Sequence, residues 1–204
     1  ILRRWINPLV KHNDFYPRKK EIIMTDQYPD LERILIPTDV IQARVKEMAM
    51  QINKDFANVD RLYMIGILKG AFIFMADLTR NLTIPHVVDF MALSSYGKTT
   101  TVGEVRILMD LREPIDGQHV MIVEDIVDSG QTLKYLHKIL MDRNPTSLHT
   151  CVLVRKKRDN GVFPFDYVGF EIPDVWVVGY GLDYADRYRT LPFVAELKRE
   201  VYSS

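Results

Sequence analysis

The sequence predicts an α/β domain with a mostly parallel sheet flanked by helices. Three observations carry that prediction: apolar runs of strand length recur along the chain, stretches of helical periodicity separate them, and the length suits a single such unit. At 204 residues, 47% of them apolar, the chain can bury a sizeable core, which excludes a disordered polymer. Lys plus Arg number 27 and Asp plus Glu also 27, so no global basic excess points to non-specific nucleic-acid binding, and an anionic ligand must be held by local geometry. The single cysteine, Cys151, excludes an internal disulfide and a cysteine metal cluster, favours a reducing compartment and makes a cytoplasmic protein the expectation. The apolar runs fall short of the roughly 18 uncharged residues that a membrane span needs.

Residues 1–37 read as an irregular extension, because Pro8, Pro17, Pro29 and Pro37 break any regular period. Thr38 or Asp39 then caps a helix over 38–56, in which Val40, Ile41, Val45, Met48, Ala49 and Ile52 recur at helical spacing. An apolar, β-rich strand over 62–68 ends at Lys69-Gly70 and hands over to a helix over 71–81. A further strand over 87–93 leads into a polar, glycine-containing stretch at 94–103, which predicts a long loop before a strand at 104–109. Strands over 120–123 and 148–154 flank a helix over 130–141. Closely spaced strands at 167–170 and 175–179 break this rhythm and suggest a small second lobe. The division predicted is an extension (1–37), a core (38–165) and a C-terminal segment (166–204).

The chemistry concentrates in Val120-Met-Ile-Val-Glu-Asp-Ile-Val-Asp-Ser-Gly-Gln-Thr-Leu133. Four apolar residues bury a strand, and the adjacent carboxylates of Glu124 and Asp125 follow at the sheet's carboxyl edge, where open α/β sheets bind ligands. Asp128, Ser129, Gly130, Gln131 and Thr132 then form a small-residue turn into a helix N-terminus, which presents backbone N–H groups and two hydroxyls to a phosphate. The competing reading, solvated strand-end acids and an ordinary helix cap, does not explain why strand, paired acids and phosphate-type turn coincide.

This segment resembles the phosphoribosyl pyrophosphate (PRPP) motif of the type I phosphoribosyltransferases. Leu68-Lys69-Gly70, Ser95-Tyr96, Leu153-Val-Arg-Lys156, Gly169-Phe-Glu-Ile-Pro-Asp174, Gly179-Tyr-Gly-Leu-Asp-Tyr184 and Arg189 narrow the likeness to the hypoxanthine-guanine branch, and the resemblance covers roughly residues 26 to 195. It implies the type I phosphoribosyltransferase fold, with a small hood built from the C-terminal quarter and the N-terminal extension. It implies purine salvage: a 5-phosphoribosyl group passes from PRPP to N9 of hypoxanthine or guanine, with Mg²⁺ as cofactor and a homodimer or homotetramer as the assembly. In that family the acids matching Glu124 and Asp125 bind the ribose hydroxyls directly or through magnesium, and Asp183 matches a further magnesium contact. The turn from Asp128 to Thr132 matches the 5-phosphate loop, with Asp128 as the catalytic proton acceptor near N7. Lys69 and Gly70, in a turn with a non-proline cis peptide, match the pyrophosphate-binding residues together with Arg189, Ser95 and Tyr96, the last two on a lid. Lys156 matches the donor to purine O6, although counting back from Asp166 points to Arg155 instead. Trp176 matches the aromatic that stacks on the base, with Val177 and Leu182 beside it.

Other signals are weaker. Ala92-Leu-Ser-Ser-Tyr-Gly-Lys-Thr99 has the outline of a relaxed P-loop, but the β-branched Thr100-Thr-Val that follows disfavours the helix such a loop must open. Gly179-Tyr-Gly lacks the third glycine and the βαβ unit of a dinucleotide site. The five histidines show no metal-ligand spacing. Two alternatives to the 6-oxopurine enzyme remain: a xanthine-preferring relative, and a PRPP-sensing regulator that keeps the fold without the reaction.

Overall fold

Sorting of apolar side chains by alternation organises the structure, a computed structural model that describes residues 27–95, 105–157 and 165–203. The elements in chain order are β1 (Leu31–Ile36), α1 (Thr38–Asp55), β2 (Leu62–Leu68), α2 (Phe72–Arg80), β3 (His86–Ser95), β4 (Val105–Met109), β5 (His119–Val127), α3 (Gln131–Met141), β6 (Ser147–Lys156), β7 (Tyr167–Ile172), β8 (Val177–Val178), β9 (Val194–Leu197) and α4 (Arg199–Tyr202). Among the described residues six strands form one sheet in the order β4-β3-β2-β5-β6-β7, and β1-β9-β8 form a second. All neighbours in the larger sheet are parallel except β4, which runs antiparallel to β3 at one edge. Parallel strands need both faces covered, and here each face has its own helices. Leu62 and Met64 of β2, Met121 and Val123 of β5, and Cys151 and Leu153 of β6 pack against α1 and α2. Their alternating neighbours Tyr63, Ile65, Val120, Ile122 and Val152 pack against Leu133, Leu136 and Leu140 of α3.

The first helix begins where its periodicity starts, but without the side-chain cap expected from Thr38 or Asp39. Pro37 occupies the cap position with φ −63° and ψ 156°, makes no side-chain cap, and its carbonyl accepts from the Ile41 N–H at 3.0 Å. Ile41, Val45, Met48, Ala49 and Ile52 are buried on one face, and each of the larger side chains contributes about 1.5–3 kcal/mol by leaving water.

Three expectations are corrected. The extension is not irregular throughout, because Leu31–Ile36 lies between Pro29 and Pro37 and forms β1, whose Leu31 pairs with Leu197 of β9. The strand at Tyr167–Ile172 is not part of a second lobe: it pairs parallel with β6, so a boundary at 165/166 would separate two neighbours of one sheet. The strand before the paired acids also runs on through them to Val127. The small antiparallel sheet buries Leu31, Ile34, Val178, Phe193, Ala195 and Leu197, and so joins the N-terminal strand to the C-terminal quarter. Residues 96–104, with most of the expected loop, lie outside the described residues, while Ala92–Ser95 of the P-loop-like string continue β3.

One buried polar cluster ties α1 and α2 to the segment that follows β8. Asp77 of α2, 8% exposed, accepts from the Tyr180 hydroxyl at 2.6 Å and from Gln42 Nε2 of α1 at 2.7 Å, and pairs with Arg80. Burial pushes the Asp77 carboxyl up, but the hydrogen bonds from Tyr180, Gln42 and Arg80 outweigh it and hold it below its ordinary value. Replacing Tyr180 by Phe is expected to cost about 1.5–3 kcal/mol at pH 7, because a charged acceptor loses a buried donor. A depressed carboxyl stabilises fully above its unfolded value of about 4 and loses that contribution as pH falls through the folded value. The difference between wild type and Tyr180→Phe in urea denaturation is therefore expected to shrink below about pH 4.

Candidate active site

The site forms where β2, β5 and β6 end on the same side of the sheet. Since β2 pairs with β5 and β5 with β6, the Lys69-Gly70 turn, the Glu124–Asp125 pair and the Arg155–Lys156 strand end fall side by side. The Leu68–Lys69 peptide bond is cis. Gly70 packs so tightly that a Cβ placed on it would lie 1.7 Å from Asp125 Oδ2. Gly181 closes over the same turn: its Cβ would lie 2.0 Å from the Gly70 carbonyl oxygen, and its φ is +104°. Backbone alone fits between the acid and the C-terminal segment.

The paired acids occupy unlike surroundings. Asp125 is buried and its Oδ1 accepts from the Ile126 N–H at 2.9 Å, whereas Glu124 Oε2 is enclosed with no hydrogen-bond partner among the described residues. Burial, and then the neighbouring Asp125 charge, push the Glu124 carboxyl well above the usual carboxylate range. Burial raises Asp125 as well, opposed by the Ile126 N–H and by the charge of Arg189. An enclosed, unpartnered carboxylate oxygen beside a second acid suits a hard cation or a pair of hydroxyl donors.

Beyond these acids, Gly130 with φ 73° opens α3, and no side-chain cap covers the first turn; Ser129 Oγ lies at a long 3.5 Å from the Gln131 N–H. The first-turn amides are thus presented beside the exposed Asp128 and Ser129, as an oxyanion would require. On β6, Arg155 pairs with Glu171 of β7 and stacks over Phe165, away from the turn. Its neighbour Lys156, with a side chain only 11% exposed, sends Nζ to 3.6 Å from Asp128 and 3.4 Å from Asp174. The alternation of β6 therefore brings Lys156, not Arg155, to the site.

Arg189 reaches back over the turn and contacts the Gly181 carbonyl at 2.5 Å, Asp183 at 2.6 Å and Asp186 at 3.3 Å. Lys69 Nζ lies 2.9 Å from the same Asp186 carboxylate. Asp183 is not brought into one cluster with Glu124 and Asp125: among the described residues no three acidic, histidine or cysteine side chains are grouped to hold a metal by themselves. Instead its two oxygens are taken up by Arg189 and by the Asp186 N–H, the latter at 2.8 Å. Trp176, 45% exposed, stacks on Tyr202 of α4 at 5.4 Å between centroids and meets Tyr184 edge-on at 5.8 Å, while Val177 and Leu182 are buried beneath. Tyr96 and the side chain of Ser95 lie outside the described residues. Three residues were missed by sequence reasoning. Asp174 stood inside a quoted motif without a role, while Asp186 and Tyr202 find their partners through folding that no local spacing announces.

Comparison with known proteins gives the family. The family model for the phosphoribosyl transferase domain matches residues 37–185. A hypoxanthine-guanine phosphoribosyltransferase of Dictyostelium discoideum is 51% identical over 167 residues, 79% of this chain and 93% of the relative. The chain belongs to the hypoxanthine-guanine phosphoribosyltransferase family. A Mycobacterium tuberculosis member is 46% identical over 183 residues, 86% of this chain and 91% of the relative. Among solved structures, a Staphylococcus aureus hypoxanthine phosphoribosyltransferase superposes with TM-score 0.82 at 41% identity, covering 88% of this chain and 98% of that one. A Trypanosoma cruzi hypoxanthine phosphoribosyltransferase in a ternary substrates complex gives 0.80 at 43% identity, covering 86% and 100%. The protein is thus a phosphoribosyltransferase with the type I fold.

The stacked glycines set a test of the site's packing. Gly117, φ +68° with nothing within 4 Å of a new Cβ, is expected to tolerate alanine at the left-handed cost of about 1–2 kcal/mol. Gly181→Ala adds a collision with the Gly70 backbone, and a loss of about 2–5 kcal/mol is expected in the same denaturation series.

Proposed function

We propose that the protein is a magnesium-dependent enzyme of purine salvage that transfers the 5-phosphoribosyl group of PRPP to N9 of hypoxanthine or guanine, giving IMP or GMP and pyrophosphate. The observation that carries this reading is the pair formed by Lys156 and Asp128. Purine O6 and N7 lie side by side on one edge of the base. An ammonium 3.6 Å from a carboxylate faces such an edge with a donor for O6 and an acceptor for the N7 proton. Adenine presents an amino group where the oxygen would be, so Lys156 would be left facing a donor, a costly mismatch in an enclosed site.

The remaining residues suit the PRPP half. The α3 amides with Ser129, Gly130, Gln131 and Thr132 would hold the 5-phosphate, and Glu124 and Asp125 the ribose hydroxyls. In the reaction N9 bonds to C1 of the ribose, the C1–oxygen bond breaks with its electron pair leaving on pyrophosphate, and the N7 proton passes to Asp128. Lys69, the Gly70 amide and Arg189 would meet the charge that develops on the leaving group. Glu124, Asp125 and Asp183 would contact Mg²⁺, which usually keeps several waters and takes one or two carboxylates plus substrate oxygens; bound, it supplies positive charge to the same leaving group. Trp176 would stack on the base, with Val177 and Leu182 behind it. The buried, unpaired Cys151, whose thiol burial pushes up, supports action in the cytoplasm. Exposed Val88, Leu108 and Met109 near one edge of the large sheet support self-association to a homodimer or homotetramer.

The test is nucleoside monophosphate formation from PRPP with hypoxanthine, guanine, xanthine and adenine in parallel, with and without magnesium. Turnover of hypoxanthine and guanine only with magnesium, and a kcat lowered about 10²- to 10⁴-fold in Asp128→Asn, are expected. Preference for xanthine would shift the base assignment, and PRPP binding without turnover of any base would leave a sensor in place of an enzyme. Lys156→Gln is expected to raise KM for hypoxanthine while leaving KM for PRPP near its wild-type value.

A further inference from the structure

The two cations assigned to pyrophosphate already hold an anion that belongs to the chain. Asp186 Oδ1 lies 2.9 Å from Lys69 Nζ and 3.3 Å from Arg189 Nη2, so one carboxylate oxygen bridges both. The bridge is built from the hood side by a strained turn. Tyr184 and Arg187 pair across it, Ala185 and Asp186 have φ of 51° and 60°, and the Asp186 N–H donates to Asp183 Oδ2 at 2.8 Å. The Lys69 contact, followed by that of Arg189, holds the Asp186 carboxyl below its usual range. Arg189 keeps two further acceptors, Asp183 at 2.6 Å and the Gly181 carbonyl at 2.5 Å, and these fix its guanidinium from behind whether or not Asp186 is present. Among the described residues Asp186 is the one acid paired with Lys69, whose side chain is 69% exposed.

Resting on the pyrophosphate-binding role proposed for Lys69 and Arg189, we propose that Asp186 is an internal competitor of pyrophosphate: its carboxylate occupies the place of a phosphate oxygen between them and must be displaced when PRPP or pyrophosphate binds. Asp186 sits at a turn apex with its side chain 72% exposed, so it can swing out to water without disturbing a packed element. The competition sets affinity at the leaving-group end and leaves the base end untouched.

Magnesium pyrophosphate is titrated calorimetrically into wild type, Asp186→Asn and Asp186→Glu, with steady-state kinetics alongside. Asn keeps the left-handed backbone, which it adopts as readily as Asp, and removes the charge. Asp186→Asn is expected to bind pyrophosphate about three- to tenfold more tightly, the range that one or two exposed ion pairs span. Its KM for PRPP is expected to fall, with KM for hypoxanthine unchanged. The gain should narrow as salt is raised, because exposed pairs are screened, and Asp186→Glu should stay close to wild type. Pyrophosphate binding that is equal or weaker in Asp186→Asn overturns the competitor role alone. No pyrophosphate binding in any of the three proteins overturns the assignment of Lys69 and Arg189, and this proposal with it.

Discussion

The site depends on one close approach, the layering of the Asp125 carboxylate, the Gly70 backbone and the Gly181 backbone. No side chain fits between them, since a Cβ on either glycine would fall 2.0 Å or less from its neighbour. The sheet order makes the first contact unavoidable, because β2 and β5 are paired neighbours and their ends emerge together. The second contact has to be supplied by a segment far away in sequence. That segment is pinned on both sides: Gly181 donates its N–H to the Arg189 carbonyl at 2.9 Å, Tyr180 donates its own to Leu191 at 2.8 Å, and the Tyr180 hydroxyl anchors to Asp77 beneath the sheet. Core and hood are therefore registered to each other by a polar anchor below and a van der Waals stack above. A loosening of either would move Arg189 relative to Asp125, whose charge it offsets.

That registration bears on how a chain with no net charge would hold the polyanion of the proposed function. Each cation in the cleft is met by an acid of the same chain: Lys156 by Asp128 and Asp174, Lys69 by Asp186, and Arg189 by Asp183 and Asp186. Glu124 is the opposite case, with an enclosed oxygen that no donor among the described residues reaches. In the proposed reading, binding in such a site is an exchange of partners, in which internal carboxylates leave and ligand oxygens arrive. Exchange keeps the desolvation penalty of the cations low in both states, which a row of unpaired buried ammonium groups would not.

What was legible in the sequence followed from local periodicity. The helix at Thr38–Asp55 was readable because burial repeats at helical spacing, and the strand at Leu62–Leu68 and the 120–123 part of β5 because continuous apolar runs mark strands buried on both faces. The phosphate-type turn and the Lys69-Gly70 turn were readable because they follow those strands, and the acids because they interrupt the apolar run of β5 near its carboxyl end. Strand β1 was hidden by its bounding prolines, which mark its ends and not its absence. The allegiance of β7 was hidden because pairing with β6 depends on sheet order, which no local pattern carries. Arg155 and Lys156 could not be separated by spacing, since one residue of alternation sends the first to Glu171 on the next strand and the second to Asp128. The contact of Lys69 with Asp186 has no local signature at all, because a cation on the core turn meets an acid on the hood only once both lobes are in place.

The base side of the site shows how far such long-range dependence extends. Trp176 is a half-exposed aromatic, and a free ring of that size would lose rotamer freedom when a purine stacked on it. Here its orientation is already set, by Tyr202 against one face and Tyr184 against an edge. Helix α4, which carries Tyr202, buries no residue of its own and is too short to persist alone. It is held by the Tyr184 hydroxyl on the Val201 carbonyl at 2.9 Å, and the preceding strand end by Leu197 N–H on the Trp176 carbonyl at 2.9 Å. The dependence therefore runs in a closed path from Trp176 through Tyr202 and Val201 to Tyr184 and back. Tyr184 also adjoins Asp183, whose carboxylate grips Arg189. In the proposed reading, base stacking and leaving-group binding are thus oriented by one short hood segment, and the last helical turn contributes to purine affinity without touching the purine.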